Sequence, residues 1–283
     1  MASGWREERQ TRREKGQPVK LSAPQIAARK VFSGAEPLVM ITAYDEPSAR
    51  FVEESGADLL LVGDSLANVV LGHEDTLHVT VRQMCHHIAA ARVGAPTTHI
   101  VGDMPWMSYH ADVNDAVRAA AALVRAGADS VKLEGGRVRA GVITAILNAE
   151  IPVMGHLGLT PQSVMKFGGF KVQGRDDIAA RELVLDAQAI DSLGVFSMVV
   201  EGVPAQLGSE ITKAVGVPVI GIGAGPDVDG QVLVFHDLLG LGNRKTAKFV
   251  RQYLNAGELM TSALREFGND VRTGKFPTDT ESY

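Results

Sequence analysis

Short apolar runs recur along this chain, and four of them end in a carboxylate. Leu59-Leu60-Leu61-Val62 leads into Gly63-Asp64-Ser65, and His99-Ile100-Val101 leads into Gly102-Asp103. Ser130-Val131-Lys132-Leu133 leads into Glu134-Gly135-Gly136, and Met198-Val199-Val200 leads into Glu201. Short apolar runs separated by helix-length stretches read as parallel strands buried on both faces. The carboxyl ends of such strands form the mouth of an α/β fold, where active sites lie. The four acids are therefore expected to converge. Gathered there they repel one another and lose hydration, and a cation is the usual compensation.

The alternation continues along the chain. Strands are expected at about 38–44, 58–63, 98–102, 130–133, 151–155, 197–200, 217–222 and 232–235. Helices are expected at about 47–55, 80–93, 113–126, 139–149, 176–193 and 204–215, after a leading helix over 22–33 with Ser22 as its N-cap. Gly94, Gly127, Gly194 and Gly216 each stand at a helix end before a small or apolar residue, which is helix-stop chemistry. Eight strands alternating with helices favour a closed (β/α)8 TIM barrel over an open doubly wound sheet. The 283 residues, 45% of them hydrophobic, suffice for one such barrel, which takes about 250. No stretch rich in Pro, Gly or Ser divides the chain, so 22–283 is read as a single barrel domain with C-terminal helices near 245–254 and 258–267. Residues 1–21 carry many charges and little to bury, and are read as a disordered tail.

Composition excludes several classes. A net charge of -5 with 5% aromatic residues gives no nucleic-acid footprint. No apolar run approaches the roughly 20 residues of a membrane helix. The N-terminus lacks the apolar core of a signal peptide. The single cysteine, Cys85, rules out an internal disulfide framework and fits a reducing compartment, so the cytoplasm is the expected location. Two βα loops, 65–79 and 157–176, are long and lie on the side where the acids emerge, as pocket or lid segments do.

Asp64, Asp103 and Glu134 end successive strands, so they should sit side by side. Oxygen donors without cysteine or closely spaced histidine suit a hard cation such as Mg²⁺ better than zinc; helix capping or salt bridging is the bland alternative. Lys132 lies two residues before Glu134 and shares its face of the strand. It is open to three roles: binding a substrate carboxylate, forming a Schiff base, or pairing structurally with an acid. Glu201 ends the sixth strand in an apolar setting that suits a general base. His156 follows the fifth strand as a ligand, a proton carrier or a hydrogen-bonder. Gly221-Ile222-Gly223-Ala224-Gly225 reads either as a close approach to a ligand or as a tight turn. His86 and His87 are read as structural, and His73 as non-catalytic.

Several of these segments match a known pattern. Val62-Gly63-Asp64-Ser65, Gly72-His73, Lys132-Leu133-Glu134-Gly135-Gly136 and Gly155-His156-Leu157-Gly158-Leu159-Thr160-Pro161-Gln162-Ser163 resemble the ketopantoate hydroxymethyltransferases. So do Lys171-Val172-Gln173-Gly174-Arg175 and Pro218-Val219-Ile220-Gly221-Ile222-Gly223-Ala224-Gly225, and the resemblance runs over about residues 22–265. It implies a (β/α)8 barrel of the phosphoenolpyruvate mutase and isocitrate lyase type. It also implies a Mg²⁺-dependent transfer of a one-carbon unit from 5,10-methylenetetrahydrofolate to 3-methyl-2-oxobutanoate. The product would be 2-dehydropantoate, on the way to pantothenate and coenzyme A.

Carried to the matching positions, Asp64 and Asp103 would ligate the metal and Glu134 would join directly or through water. Asp64, Ser65, Asp103 and Lys132 would surround the oxo acid, with Ser65 and Lys132 on its carboxylate, and Glu201 would be the base. Homo-oligomers, commonly decamers, are implied too. The chemistry agrees: a 2-oxo acid can chelate Mg²⁺, and the ion as Lewis acid stabilises the enolate formed when Glu201 takes the C3 proton. A Mg²⁺-dependent lyase of the same superfamily is the enzymatic alternative. Its isocitrate lyase-like members use a cysteine in a mobile loop, whereas Cys85 falls in an expected helix. A non-catalytic oligomeric scaffold is a third reading, at odds with the retention of every acid and of Lys132.

Overall fold

In a computed structural model the protein is described over residues 20–242 and 247–283. The tail read over 1–21 falls almost wholly outside these residues. Eight parallel strands close into a barrel in sequence order: β1 (Leu38–Thr42), β2 (Leu59–Val62), β3 (His99–Asp103), β4 (Ser130–Glu134), β5 (Val153–Gly158), β6 (Ser197–Glu201), β7 (Val219–Ile222) and β8 (Gly230–Leu233). β8 pairs with β1, so no sheet edge is left open. The helices between them start on local signals. The Asp45 carboxylate accepts from the Ser48 amide at the head of Glu46–Glu54, Thr80 accepts from the Gln83 amide at Val81–Gly94, and Asp112 and Asp176 cap Val113–Ala126 and Asp177–Leu193.

The barrel interior is layered. Leu38, Met40, Leu59, Leu61, Val101, Met154, Val199, Ile220 and Val232 fill its lower part, and Leu21, Ala23 and Ile26 from the N-terminal segment close it from below. The His99 ring ties that segment down, with Nδ1 bonded to the Leu21 carbonyl at 2.8 Å and Nε2 to Ser130 Oγ at 2.9 Å. Two residues further along β3, β5 and β6 the inward positions become Asp103, His156 and Glu201; on β4 they are Lys132 and Glu134. Alternation along each strand thus turns an apolar floor into a charged mouth.

Some elements differ from expectation. The leading helix is only Ala23–Ala27, followed by a 3-10 turn at Val31–Ser33. The chain bends there because the buried carboxylate of Asp229 takes both Lys30 Nζ and the Val31 amide, each at 2.8 Å. β5 runs on to Gly158, so His156 lies within the strand, and β8 begins at Gly230. The long loops hold short helices of their own, Leu66–Val69 and Val164–Phe167.

The barrel up to Val234 is one compact unit, and Phe235–Tyr283 is a second. In the second unit the helix expected near 258–267 runs over Ala256–Thr273. The partner helix expected at 245–254 is not formed over its described residues. A single turn forms, with the Val250 amide on the Ala247 carbonyl at 3.0 Å, and the Tyr253 amide then goes sideways to the Leu238 carbonyl at 2.8 Å, so no helix continues. Ala256–Thr273 buries none of its residues and exposes Leu259, Met260, Leu264, Phe267 and Val271. Among the described residues no helix is long and apolar enough to cross a membrane.

Candidate active site

The strand register puts the charged residues side by side. Asp103 is the direct neighbour of Lys132 across β3 and β4, and Glu134 is the neighbour of His156 across β4 and β5. Glu201 lies opposite Gly158. Gly158 has φ +88°, and a Cβ on it would meet the Glu201 carbonyl at 2.2 Å. Only glycine lets the ends of β5 and β6 approach this closely, which brings His156 within reach of Glu201. Gly63 serves the β2 end in a related way, since a Cβ there would lie 2.8 Å from Ser65 Oγ.

One polar network joins six of the expected residues. The Asp64 amide donates to Asp103 Oδ2 at 3.1 Å, and Lys132 Nζ approaches the same oxygen at 2.9 Å. Lys132 Nζ also lies 3.2 Å from His156 Nδ1, and His156 Nε2 lies 3.1 Å from Glu201 Oε2. An ammonium can only donate, so Nδ1 accepts, and the imidazole proton sits on Nε2 and points at Glu201. Glu134 Oε1 stands 3.5 Å from His156 Nδ1. Ser65 borders the cluster, its hydroxyl 2.8 Å from Tyr44 Oη. His73 stands apart, stacked on His78. Cys85 lies in the helix Val81–Gly94.

Burial sets the protonation states. The Asp64 carboxyl is pushed up to about 7, first by loss of hydration and then by the charge of Asp103, with Lys132 and Gln162 pulling partly back. Glu134 is pushed up to about 8, again by burial first and by Asp64 second. Asp103 is raised by burial, against the pull of Lys132. Burial by itself would lower the Lys132 ammonium, but Asp103, Asp64 and Glu134 outweigh it and hold the lysine charged. Burial and the nearby Lys132 push His156 down, so its ring is neutral. The cluster is thus a set of acids with one compensating cation, short of positive charge.

Two observations bear on a metal. Asp103 Oδ1 and Glu134 Oε1 are buried and have no hydrogen-bond partner, a costly condition unless something else binds there. The donors are all oxygens, which suits a hard cation. Among the described residues no three His, Cys, Asp or Glu side chains gather tightly enough to enclose an ion. A cation bound at these oxygens would have few direct protein ligands, most of its positions being left to water and substrate. Mg²⁺ is commonly held in this way.

Two further residues complete the cluster and were not singled out as site residues in the sequence. Gln162, in the 3-10 turn Pro161–Ser163, is buried and donates through Nε2 to Asp64 Oδ2 at 2.8 Å. Tyr109 is buried beside it, with its hydroxyl 2.7 Å from Gln162 Oε1. Both sit in irregular loops, where no periodicity marks an inward side chain. The one available signal for Gln162 was its place in the long segment after the fifth strand.

A closed parallel barrel with acids, a lysine and a histidine enclosed at the carboxyl ends of its strands defines an α/β-barrel enzyme. Its fold is that of the phosphoenolpyruvate mutase and isocitrate lyase type. A solved 2,3-dimethylmalate lyase, a member of that superfamily, superposes with a TM-score of 0.58 at 17% identity, covering 93% of this chain and 92% of its own. Sequence narrows the class. The family model for ketopantoate hydroxymethyltransferase matches residues 20–279. A 3-methyl-2-oxobutanoate hydroxymethyltransferase of Koribacter versatilis (strain Ellin345) is 50% identical over 249 residues, 88% of this chain and 84% of the relative. Another, of Moorella thermoacetica (strain ATCC 39073 / JCM 9320), is 49% identical over 265 residues, 93% of this chain and 98% of the relative. The chain belongs to the ketopantoate hydroxymethyltransferase family and is a transferase.

Proposed function

We propose that this enzyme transfers the one-carbon unit of 5,10-methylenetetrahydrofolate to 3-methyl-2-oxobutanoate as a hydroxymethyl group, with water supplying the hydroxyl, giving 2-dehydropantoate and tetrahydrofolate. The observation that carries the reading is the pair of buried, unpartnered oxygens, Asp103 Oδ1 and Glu134 Oε1, beside a charged lysine and a neutral histidine bonded to a glutamate. Asp64 and Asp103 would hold Mg²⁺, with Glu134 joining directly or through water. Bound there, the ion supplies a Lewis acid for the ketone of a 2-oxo acid.

The protein's own groups supply the rest. Lys132 has three N–H donors and commits two, to Asp103 and His156. The third is left for the oxo-acid carboxylate, with the Ser65 hydroxyl as a second donor. Glu201 is the least buried of the four acids, its side chain 16% exposed, and so faces the incoming substrate. His156 Nε2–H holds its Oε2, which leaves Oε1 to take the proton from C3. C3 then becomes the nucleophile toward the one-carbon unit. The exposed apolar stripe of Ala256–Thr273 supports a homo-oligomer, with a decamer favoured by the family resemblance. The lone Cys85 supports a reducing, cytoplasmic setting.

The reading is tested by proton NMR of 3-methyl-2-oxobutanoate in D₂O with protein and Mg²⁺, with and without methylenetetrahydrofolate. Loss of the C3 proton signal is expected with Mg²⁺, and 2-dehydropantoate once the folate is added. Exchange without product would remove the folate donor from the proposal. Neither exchange nor product would favour a lyase.

The raised acids make cation binding pH-dependent. Asp64 and Glu134 must ionise to serve as ligands, so Mg²⁺ affinity is expected to climb between pH 6 and about 8, with protons released on binding. Calorimetry in two buffers of different ionisation heat measures that release, and none at pH 6.5 would contradict it. In the cation-free protein these carboxyls hold protons that the unfolded chain has already lost. Their contribution to stability is full below about pH 4, where the unfolded chain is protonated too, and is lost progressively as pH rises from there to about 7 to 8. The melting temperature without metal is therefore expected to fall over that range, and saturating Mg²⁺ to flatten the decline.

A further inference from the structure

Gln162 is an uncharged side chain bonded directly to the acids of the cluster, and its carboxamide and backbone amide are all engaged. Nε2 donates to Asp64 Oδ2 at 2.8 Å and to the Met104 carbonyl at 3.0 Å. Oε1 accepts from the Tyr109 hydroxyl at 2.7 Å, and the backbone amide donates to Glu134 Oε2 at 3.0 Å. The orientation of the amide is determined. Its nitrogen faces the Met104 carbonyl, which can only accept, and Asp64 Oδ2. Its oxygen faces a hydroxyl whose own lone pair takes the Glu134 amide at 3.1 Å. A flipped amide would set its oxygen against the Met104 carbonyl and lose that bond.

The pattern of tied and free oxygens follows from this residue. Asp64 is held through Oδ2 and Glu134 through Oε2, both by Gln162, while Glu134 Oε1 is buried and unpartnered. Asp103 is held through Oδ2 by Lys132 and the Asp64 amide, and its Oδ1 is likewise unpartnered. One oxygen of each acid is thus anchored and the other is left over. The loop after β5 reaches across to the acid just past β2 and the acid that ends β4 through a single residue.

We infer that Gln162 is a positioning residue. It sets the rotamers of Asp64 and Glu134 so that their remaining oxygens are presented to a divalent cation. The inference rests on the proposed reading of the three acids as a cation site. Partners of this kind, bonded behind the ligands, typically govern about 10- to 100-fold in metal affinity.

The test uses Mn²⁺ as probe, with binding to the full-length protein followed by electron paramagnetic resonance and calorimetry. Gln162→Met keeps the side-chain length and the backbone amide and removes only the carboxamide. Its Mn²⁺ dissociation constant is expected to rise about 10-fold or more. Tyr109→Phe serves as the comparison, because it disturbs the same network without touching a carboxylate oxygen. Its loss of Mn²⁺ affinity is expected to be clearly smaller than that of Gln162→Met, at whatever change in melting temperature each variant shows. Should Gln162→Met fail to fold, Gln162→Asn keeps the amide but shortens its reach, and the same loss is expected. Unchanged affinity in a folded Gln162 variant overturns the assignment. So does an equal loss in Tyr109→Phe, which would mean general loosening of the network. Wild-type protein that binds no Mn²⁺ overturns the cation reading itself, and the assignment with it.

Discussion

Glu201→Gln is expected to slow the exchange of the C3 proton of 3-methyl-2-oxobutanoate by about 10²- to 10⁴-fold, the usual range for a positioned acid–base group. The effect should be confined to proton transfer. A glutamine carbonyl can still accept the His156 Nε2–H that now reaches Glu201 Oε2 at 3.1 Å, so the side chain keeps its place. What disappears is the oxygen able to take a proton. Affinity for Mg²⁺ and for the oxo acid should be nearly unchanged, because Glu201 is bonded to His156 and not to the other acids. Proton NMR in D₂O gives the exchange rate, and titration of the oxo acid gives the affinity. Wild-type exchange in the variant would remove Glu201 from the role of base. A collapse of metal binding along with exchange would show that the change had disturbed the whole network.

Lys132→Met is expected to cost about 3–5 kcal/mol of folding stability, the penalty for removing one partner of a buried ion pair. Lys132 and Asp103 are both almost fully enclosed and lie 2.9 Å apart. Without the ammonium, Asp103, Asp64 and Glu134 are left with no compensating charge. Their escape is to bind protons, which the raised carboxyls of Asp64 and Glu134 already favour. The cost should therefore be larger at pH 8, where the acids must stay ionised or take up protons against the solvent, than at pH 5, where they protonate readily. Urea unfolding of the metal-free proteins at the two pH values measures this difference. Equal costs would trace the loss to packing of the lysine stem. The variant should also bind the oxo acid more weakly, having lost the donor proposed for its carboxylate.

Much of this site was legible along the chain. Asp64, Asp103, Glu134 and Glu201 announce themselves because a charge at the end of an apolar run has few places to go. Lys132 follows from Glu134 through the two-residue repeat of a strand. Gln162 and Tyr109 were not legible in that way. A neutral polar residue in a loop is ordinary, and nothing local says that its amide will reach an acid 98 positions earlier in the chain. The helix expected at 245–254 shows the opposite failure. Its apolar spacing suits a helix, yet over the described residues the backbone bonds to the neighbouring Phe235–Leu239 segment.

The order of strands and helices and the acids that end the strands can be read along the chain. These depend on side-chain size, periodicity and short-range hydrogen bonding, all of which act over a few residues. Which oxygen of each acid is tied and which is free, which nitrogen of His156 carries the proton, and which groups hold protons near neutral pH cannot be read there. Those properties depend on burial and on partners brought together by closure of the barrel. The Asp64 amide meets Asp103 across 39 positions, and His156 meets Glu201 across 45. Electrostatic interactions strengthen as water is excluded, so the chemistry of the site exists only once the eight strands have closed around it.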